Sequence, residues 1–455
     1  MEFSISVSIL FLRYLLNTMK RPAYILVFLC ATLFTFFCGI AQENASTVGL
    51  GWANNSVNTV IFRKNAITSF KEYQFTAYYD ANQNLILAKR KLDSGSWQTQ
   101  KTPYKGNATD AHNAISLAID GNGYLHVSWD HHNSSLCYAM SKEPLGLKLS
   151  EEKSMTGDRE DRITYPQFLN LKNGDLLFMY RDGKSGMGSL VINRFDNTIG
   201  KWEQLHKNLI DGEGERNAYW QTCVDKAGNI HISWVWRETW DVSTNHDLCY
   251  ALSKDGGYTW ERSTGEKYTL PISIKSAEYA WKIPRKSSLI NQTSMTTDKD
   301  NNPIIASYWN EGGSTQYQIV FIENDQWKKI NTGFRKSGFE LGGGGTKKIP
   351  ISRPEILSSP KNGKTLHLLF RDGERGNKIS LAHCTYPYNS PWKVEDITSF
   401  SVGEWEPNYD LELFSKEGKL HIFTQNVTQK DGEGLANIKP TPIKIIEIKK
   451  LPHSK

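Results

Sequence analysis

At 455 residues with a formal net charge of +6, the chain is long enough for one large domain or several smaller ones. Its charge is too low and too scattered for a nucleic-acid-binding surface. Fourteen Trp, 20 Tyr and 35 Gly, with no sustained helical periodicity, exclude a helical bundle and favour an all-β protein with many tight turns.

Lys20 and Arg21 precede the apolar run "AYILVFLCATLFTFFCGIA" (23–41). A basic start, an apolar core and a small-x-small end make a secretory signal peptide cleaved near Ala41. Residues 1–41 are read as leader and signal peptide, with Met19 an alternative start, and the mature protein is expected to be secreted or periplasmic. The two apolar stretches together leave a membrane anchor as the other reading. One domain is expected over 44–455. Four cysteines remain after cleavage, Cys137, Cys223, Cys249 and Cys384, with no CxxC spacing. Buried thiols are expected rather than a disulfide framework.

A turn followed by a short apolar strand then recurs seven times. The copies are "DANQNLILAKR" (80–90), "DGNGYLHVSWD" (120–130), "LKNGDLLFMYRD" (171–182), "DKAGNIHISWVWRE" (225–238), "DKDNNPIIASYWNE" (298–311), "PKNGKTLHLLFRD" (360–372) and "SKEGKLHIFTQN" (415–426). Seven phased hairpins predict a seven-bladed β-propeller. "SKDGGYTW" (253–260) has the Asp-box pattern of a turn between a blade's outer strands.

In each hairpin the start of the first strand and the end of the second meet on the rim opposite the turn. That places Gln74 with Lys89/Arg90, His112 with His131/His132, Tyr165 with Arg181, and Tyr219 with Arg237 on one face. Asn291 with Asn310/Glu311, Arg353 with Arg371, and Asn408 with Gln425 complete the ring. His126, His231, His367 and His421 share one strand position, so they are expected to be architectural. His112, His131 and His132 break the repeat and are candidates for proton transfer. A catalytic metal is not expected, because the neighbours are Tyr and Arg. The pairs His246/Cys249 and His383/Cys384 leave a structural zinc or calcium ion open. No cofactor is required.

This rim suits β-elimination on a uronic-acid polymer. Abstracting the C5 proton needs a neutralised carboxylate, which an Arg supplies, and a His or Tyr pair to move protons. Glycoside hydrolysis would need two rim carboxylates. The candidates Asp130, Asp182, Glu238, Glu311 and Asp372 mostly follow an Arg and are expected to orient it.

"DAHNAISLAIDGNGYLHVSWDHHN" (110–133), "TYPQFLNLKNGDLLFMYRDG" (164–183) and the stretch 211–260 resemble the BNR-repeat seven-bladed propellers. That group includes ulvan lyases and enzymes acting on rhamnosyl-α-1,4-glucuronic acid. The resemblance implies a secreted polysaccharide lyase whose catalytic groups are His112, His132, Tyr165 and Arg181, with His112 favoured as base and Tyr165 as acid. His131, Asn133, Tyr219, Arg237, Arg353 and Arg371 are candidate substrate-binding groups. The expected partner is an acidic uronate polysaccharide, bound by a monomer with no nucleic acid. Two rivals stay open, a rhamnosidase and a non-catalytic glycan-binding propeller. The propeller rhamnosidases use a lone His from the N-terminal part of the fold, and this chain has no His before His112. A sialidase would need an early Arg-Ile-Pro motif, which is absent.

Overall fold

Period-2 strands rich in β-branched and aromatic residues bury one face or both against neighbouring sheets, and tight polar turns return the chain at once. The computed structural model describes residues 44–359, 363–449 and 451; the leader and its cleavage site lie outside them. These residues form seven antiparallel sheets in chain order, a seven-bladed β-propeller.

Blade 1 holds Ile67–Phe70, Tyr73–Tyr79, Asn84–Lys91 and Gln98–Lys105, and blade 2 holds Ser116–Ile119, Leu125–Ser128 and Tyr138–Met140. Blade 3 is Ile163–Asn170, Leu176–Lys184, Met187–Asp196 and Lys201–His206. Blade 4 is Asn217–Val224, Ile230–Arg237, Asn245–Ser253 and Glu278–Trp281. Blade 5 starts at Ser294–Thr297 and blade 6 at Glu355–Ser358. In blade 7 the N-terminal strand Asn44–Gly51 pairs with Thr441–Ile448, which pairs with Leu420–Thr424. The two ends of the described chain thus close the ring within one sheet, leaving fewer unpaired edges.

Five of the seven repeated turns join the first strand of a blade to its second, and the last follows the helix Leu411–Glu417 into Leu420–Thr424. The first copy does neither: its turn, between Tyr73–Tyr79 and Asn84–Lys91, joins strands two and three of blade 1. This shift sends Gln74 and Arg90 to the face opposite the expected one. There they meet His421, which lies beside the turn of blade 7, with Gln74 Nε2 3.1 Å and Arg90 Nη2 3.3 Å from its Nδ1.

The repeated histidines brace the turns. In blade 2 the Asp120 carboxylate accepts from the main-chain N–H of Asn122 and Tyr124. Its other oxygen lies 3.3 Å from His126 Nε2, and His126 Nδ1 lies 2.7 Å from the Tyr138 hydroxyl. Asp225, His231 and Tyr250 repeat the same chain in blade 4, at 3.2 and 2.8 Å. The Asp box holds as its pattern requires: Asp255 accepts from Ser253 and Thr259, and Trp260 is buried beneath the turn. Cys223, Cys249 and Cys384 are buried thiols, and Cys137 is half-buried.

Candidate active site

One cavity on the expected face is lined by His112, His132, Tyr165, Arg181, Tyr219, Arg237 and Arg353. Blades 2, 3 and 4 supply its chemistry. Phe62 lies under His112, with ring centroids 5.4 Å apart.

The "DHHN" segment does not end a strand of blade 2, as the repeat suggested. Asp130 and Asn133 both take left-handed backbone conformations (φ 67° and 57°), and the chain crosses between them to the next blade. His132–Ser134 becomes a short strand on the edge of Ile163–Asn170. This turn separates the two histidines. His131 points inward, wholly buried, with Nε2 2.9 Å from Ser128 Oγ and 3.3 Å from the Cys137 carbonyl. It is a packing residue outside the cavity, and burial drives its pKa down to about 4. His132 faces the cavity.

His112 and His132 stack with centroids 4.0 Å apart and share one carboxylate. Asp110 Oδ1 lies 2.9 Å from His112 Nδ1, and Oδ2 lies 2.6 Å from His132 Nδ1. Glu433 Oε1 approaches the same His112 nitrogen at 3.2 Å. Burial alone would strip the proton from His112. The two carboxylates outweigh it and raise its pKa to about 9. Asp110 is half-buried, which raises its pKa, but the two imidazoles hold it far below the usual carboxylate range. Asp110, His112 and His132 are also the one group among the described residues that could hold a metal ion. The neighbours are thus not only Tyr and Arg, because a carboxylate stands two positions before His112. Neither His246 with Cys249 nor His383 with Cys384 belongs to such a group.

Tyr165 reaches the cavity through a backbone irregularity. Thr164 pairs with Arg181 and Gln167 with Met179, so Tyr165 and Pro166 share one opposing residue in a bulge. Tyr165 takes φ 61° immediately before a proline, a conformation that costs a bulky residue on the order of 1–3 kcal/mol. The bulge turns its ring into the cavity, where the Arg181 guanidinium lies 5.1 Å from its centroid. Burial and the adjacent Tyr219 hold its hydroxyl well above the normal range, against the pull of Arg181, Arg237 and Arg353.

Arg181 is almost fully buried and its fork is fixed. Nε donates to the Gly183 carbonyl at 3.0 Å, Nη2 to Thr164 Oγ1 at 3.1 Å and Nη1 to the Tyr219 hydroxyl at 3.4 Å. Thr164 Oγ1 also accepts from Asn133 N at 2.8 Å. Asn133 therefore ties the His132 strand to the Arg181 support instead of lining the cavity. Gly188 makes room for the arginine stem: a Cβ there would stand 2.7 Å from Arg181 Cγ and 2.9 Å from Asn217 Oδ1. Gly188→Ala is expected to displace the guanidinium and lower kcat by about 100-fold, the usual cost of misplacing a reacting group by about 1 Å. Steady-state kinetics beside a thermal melt would show the loss without unfolding.

Tyr219 sits between two cations. Arg181 donates to its hydroxyl, and the Arg237 guanidinium lies 5.4 Å from its ring centroid. Burial opposes ionisation, but Arg237 and Arg181, with hydrogen bonds from Ser185 and Asn217, bring its pKa down to about 7. Arg353 lines the cavity with its charge already paired, through Nε and Nη2 to Glu406 at 2.8 Å each. Arg371 was expected beside it. Instead Arg371 is spent on the loops, donating to the carbonyls of Trp405, Pro350 and Ile349 and to Asn377, and it does not reach the cavity. The rim carboxylates do not orient the arginines they follow: Asp182 pairs Arg159 and Arg162, Glu238 pairs Arg216, Asp372 pairs Arg335, and Glu311 pairs Lys329. No Asp or Glu is among the described residues that line the cavity.

The sequence reading missed Asp110, Glu433 and Trp240, which stand at or behind this wall beside the loop Gly344–Lys347. The glycine run 342–345 is packed against its neighbours. A Cβ on Gly344 would stand 2.8 Å from Trp240 Cε3, and one on Gly345 2.9 Å from Gly432 Cα.

The BNR repeat-containing family model matches residues 73–335, more than half of the sequence. The chain belongs to the BNR repeat-containing family. An ulvan lyase of Nonlabens ulvanivorans is 22% identical over 285 residues, covering 54% of this chain and 59% of that protein. A PL25 ulvan lyase of Pseudoalteromonas sp. (strain PLSV) is 21% identical over 363 residues, covering 68% and 69%. The chain spans 59% of the first of these curated relatives and 27% of a long-isoform ulvan lyase of Alteromonas sp.. Among solved structures, a PL25 ulvan lyase aligns with a TM-score of 0.65 at 14% identity, over 89% of this chain and 95% of that one. The same TM-score and identity relate this chain to that lyase bound to -[GlcA(1-4)Rha3S]-, over 86% and 97%.

Proposed function

We propose that the protein is a polysaccharide lyase that breaks a rhamnosyl-α-1,4-uronate bond by β-elimination. The observation that carries this reading is Tyr219, one ionisable phenol between the guanidiniums of Arg181 and Arg237, in a cavity that also presents His112. A uronate carboxylate docked on the two cations brings its C5 proton to a group able to accept it. The negative charge that develops as that proton leaves spreads onto the carboxylate, where the guanidiniums stabilise it.

Tyr219 ionises near neutrality and takes the C5 proton. The C4–O4 bond breaks, a C4=C5 double bond forms, and the departing O4 receives a proton from His112. A general acid works best with a pKa near the working pH. His112, at about 9, therefore serves better than Tyr165, whose hydroxyl holds its proton far more tightly. This assignment makes His112 the acid rather than the base. His132 steadies the shared Asp110, and Tyr165 supports the Arg181 guanidinium. Hydrolysis by a carboxylate pair has no support in the lining.

The names of the relatives support ulvan as the polymer, and the oligosaccharide bound by the PL25 neighbour supports a glucuronate–rhamnose repeat. Export by the leader would bring a monomeric enzyme to a substrate too large to enter a cell.

The test is to incubate the mature protein with ulvan and with a rhamnosyl-glucuronate glycan, following absorbance of the unsaturated uronate and release of free rhamnose. Rhamnose without new absorbance would replace the lyase by a hydrolase. Binding without either product would make the chain a glycan-binding module. The pH dependence of kcat/KM is expected to be bell-shaped. It rises through about 7 as Tyr219 loses its proton and falls through about 9 as His112 loses its own. A profile with no limb near 7 would remove Tyr219 as base.

A further inference from the structure

Glu433 belongs to the loop joining Leu420–Thr424 to Thr441–Ile448, beyond the segment 73–335 that carries the family match. One of its oxygens stands 3.2 Å from His112 Nδ1 and accepts from Thr346 N at 2.8 Å. The other accepts from Ala111 N, beside His112, at 3.4 Å. We propose that Glu433 is a positioning residue, which fixes the His112 imidazole at Nδ1 and is itself held in place by the glycine loop 343–348.

The loop reaches Glu433 from two directions. At one end Gly343 is tied to blade 4, its carbonyl accepting from Val242 N at 2.9 Å and its N–H donating to Asp241 at 2.8 Å. At the other end Lys347 Nζ pairs with Asp431 at 2.6 Å, and Lys348 N donates to the same carboxylate at 3.1 Å. Gly345 (φ 71°) allows the close crossing over Gly432. The loops 110–112, 343–348 and 431–433 therefore converge on one carboxylate.

Asp110 divides its oxygens between the two imidazoles, Oδ1 serving both the main-chain N–H and Nδ1 of His112 at 2.9 Å each and Oδ2 serving His132. Glu433 supplies the second contact to Nδ1 and restrains the main chain that carries the ring. Both contacts fall on Nδ1. Nε2 is left without a protein hydrogen-bond partner among the described residues, as delivery of a proton from that atom requires. The side chain of Glu433 is 35% exposed against 19% for Asp110. Water screens its charge more, so its contribution is orientation more than electrostatics.

The kinetic consequence rests on the lyase reading, whereas the structural one does not, and the experiment has an arm for each. Glu433→Ala is expected to lower kcat by about 10–100-fold with KM within about threefold, the usual range for a group that orients another. Glu433→Gln, which keeps an acceptor at the same reach, should restore kcat to within about threefold of wild type. Independently of turnover, the Nδ1 proton of His112 can be followed by NMR in histidine-¹⁵N-labelled full-length protein, assigned by its loss in His112→Ala. Its exchange with water should be at least about tenfold faster in Glu433→Ala than in wild type. Unchanged proton exchange in Glu433→Ala overturns the proposal. So does a kcat within about twofold of wild type in an active enzyme. A wild-type protein that forms no unsaturated uronate defeats the lyase reading alone, and the exchange measurement still decides the role of Glu433.

Discussion

Arg181→Ala is expected to lower kcat/KM by at least about 10³-fold while the propeller stays folded. The guanidinium does two jobs at once. In the proposed mechanism it faces the incoming carboxylate, and in the structure it donates to the Tyr219 hydroxyl that it helps to ionise. Removing it weakens the stabilisation of the developing charge and takes away one of the two cations that hold the tyrosine near 7. The acidic limb of the pH profile should therefore move to higher pH as the rate falls. Arg181→Lys separates the two effects. A lysine keeps a positive charge but not the planar fork that meets Gly183, Thr164 and Tyr219 together. It should recover part of the pH shift and little of the rate. Retention of turnover within about tenfold in Arg181→Ala would remove the arginine from the carboxylate role.

Most of this site was legible because repetition fixes phase. Once the turns of blades 2, 3 and 4 are aligned, Tyr165 must stand near Arg181 and Tyr219 near Arg237, whatever lies between them. The same logic failed at Gln74 and Arg90, where the first turn copy joins a different pair of strands. A hairpin motif states that two strands are antiparallel, not which two strands of a blade they are. His131 and Arg371 failed for another reason. Position on a rim does not fix the direction of a side chain, and here a left-handed residue on either side of the histidine pair decides which one turns inward. Asp110 was within reach of inspection, two residues before His112 in "DAHN", since a carboxylate at that spacing can fold back on the imidazole. Glu433 and the glycine loop were not. They meet His112 only because the ring closes, and no local pattern in "DGEGLAN" (431–437) records that meeting.

Two histidines one hairpin apart offer the sharpest comparison of chemistry with architecture. His112→Ala is expected to lower kcat by about 10²–10⁴-fold, the range for loss of a positioned acid or base. Its cost in stability should be small, because the ring lines a cavity and Asp110 keeps His132 as a partner at 2.6 Å. His126→Ala should do the reverse. Its ring is fully buried between Asp120 and Tyr138; truncation leaves the Asp120 oxygen without its partner and the Tyr138 hydroxyl with only the Trp202 indole N–H at 3.1 Å. The stranded carboxylate oxygen alone costs about 1–3 kcal/mol, so the urea midpoint should fall clearly while kcat, measured on the folded fraction, stays close to wild type. Neither effect can stand in for the other. Loss of stability removes active molecules without changing the rate of those that remain, whereas loss of the acid slows every molecule alike. If His112→Ala instead unfolded the protein as readily as His126→Ala, His112 would be a brace like the repeated strand histidines. The acid would then have to be sought at His132, the other imidazole on Asp110.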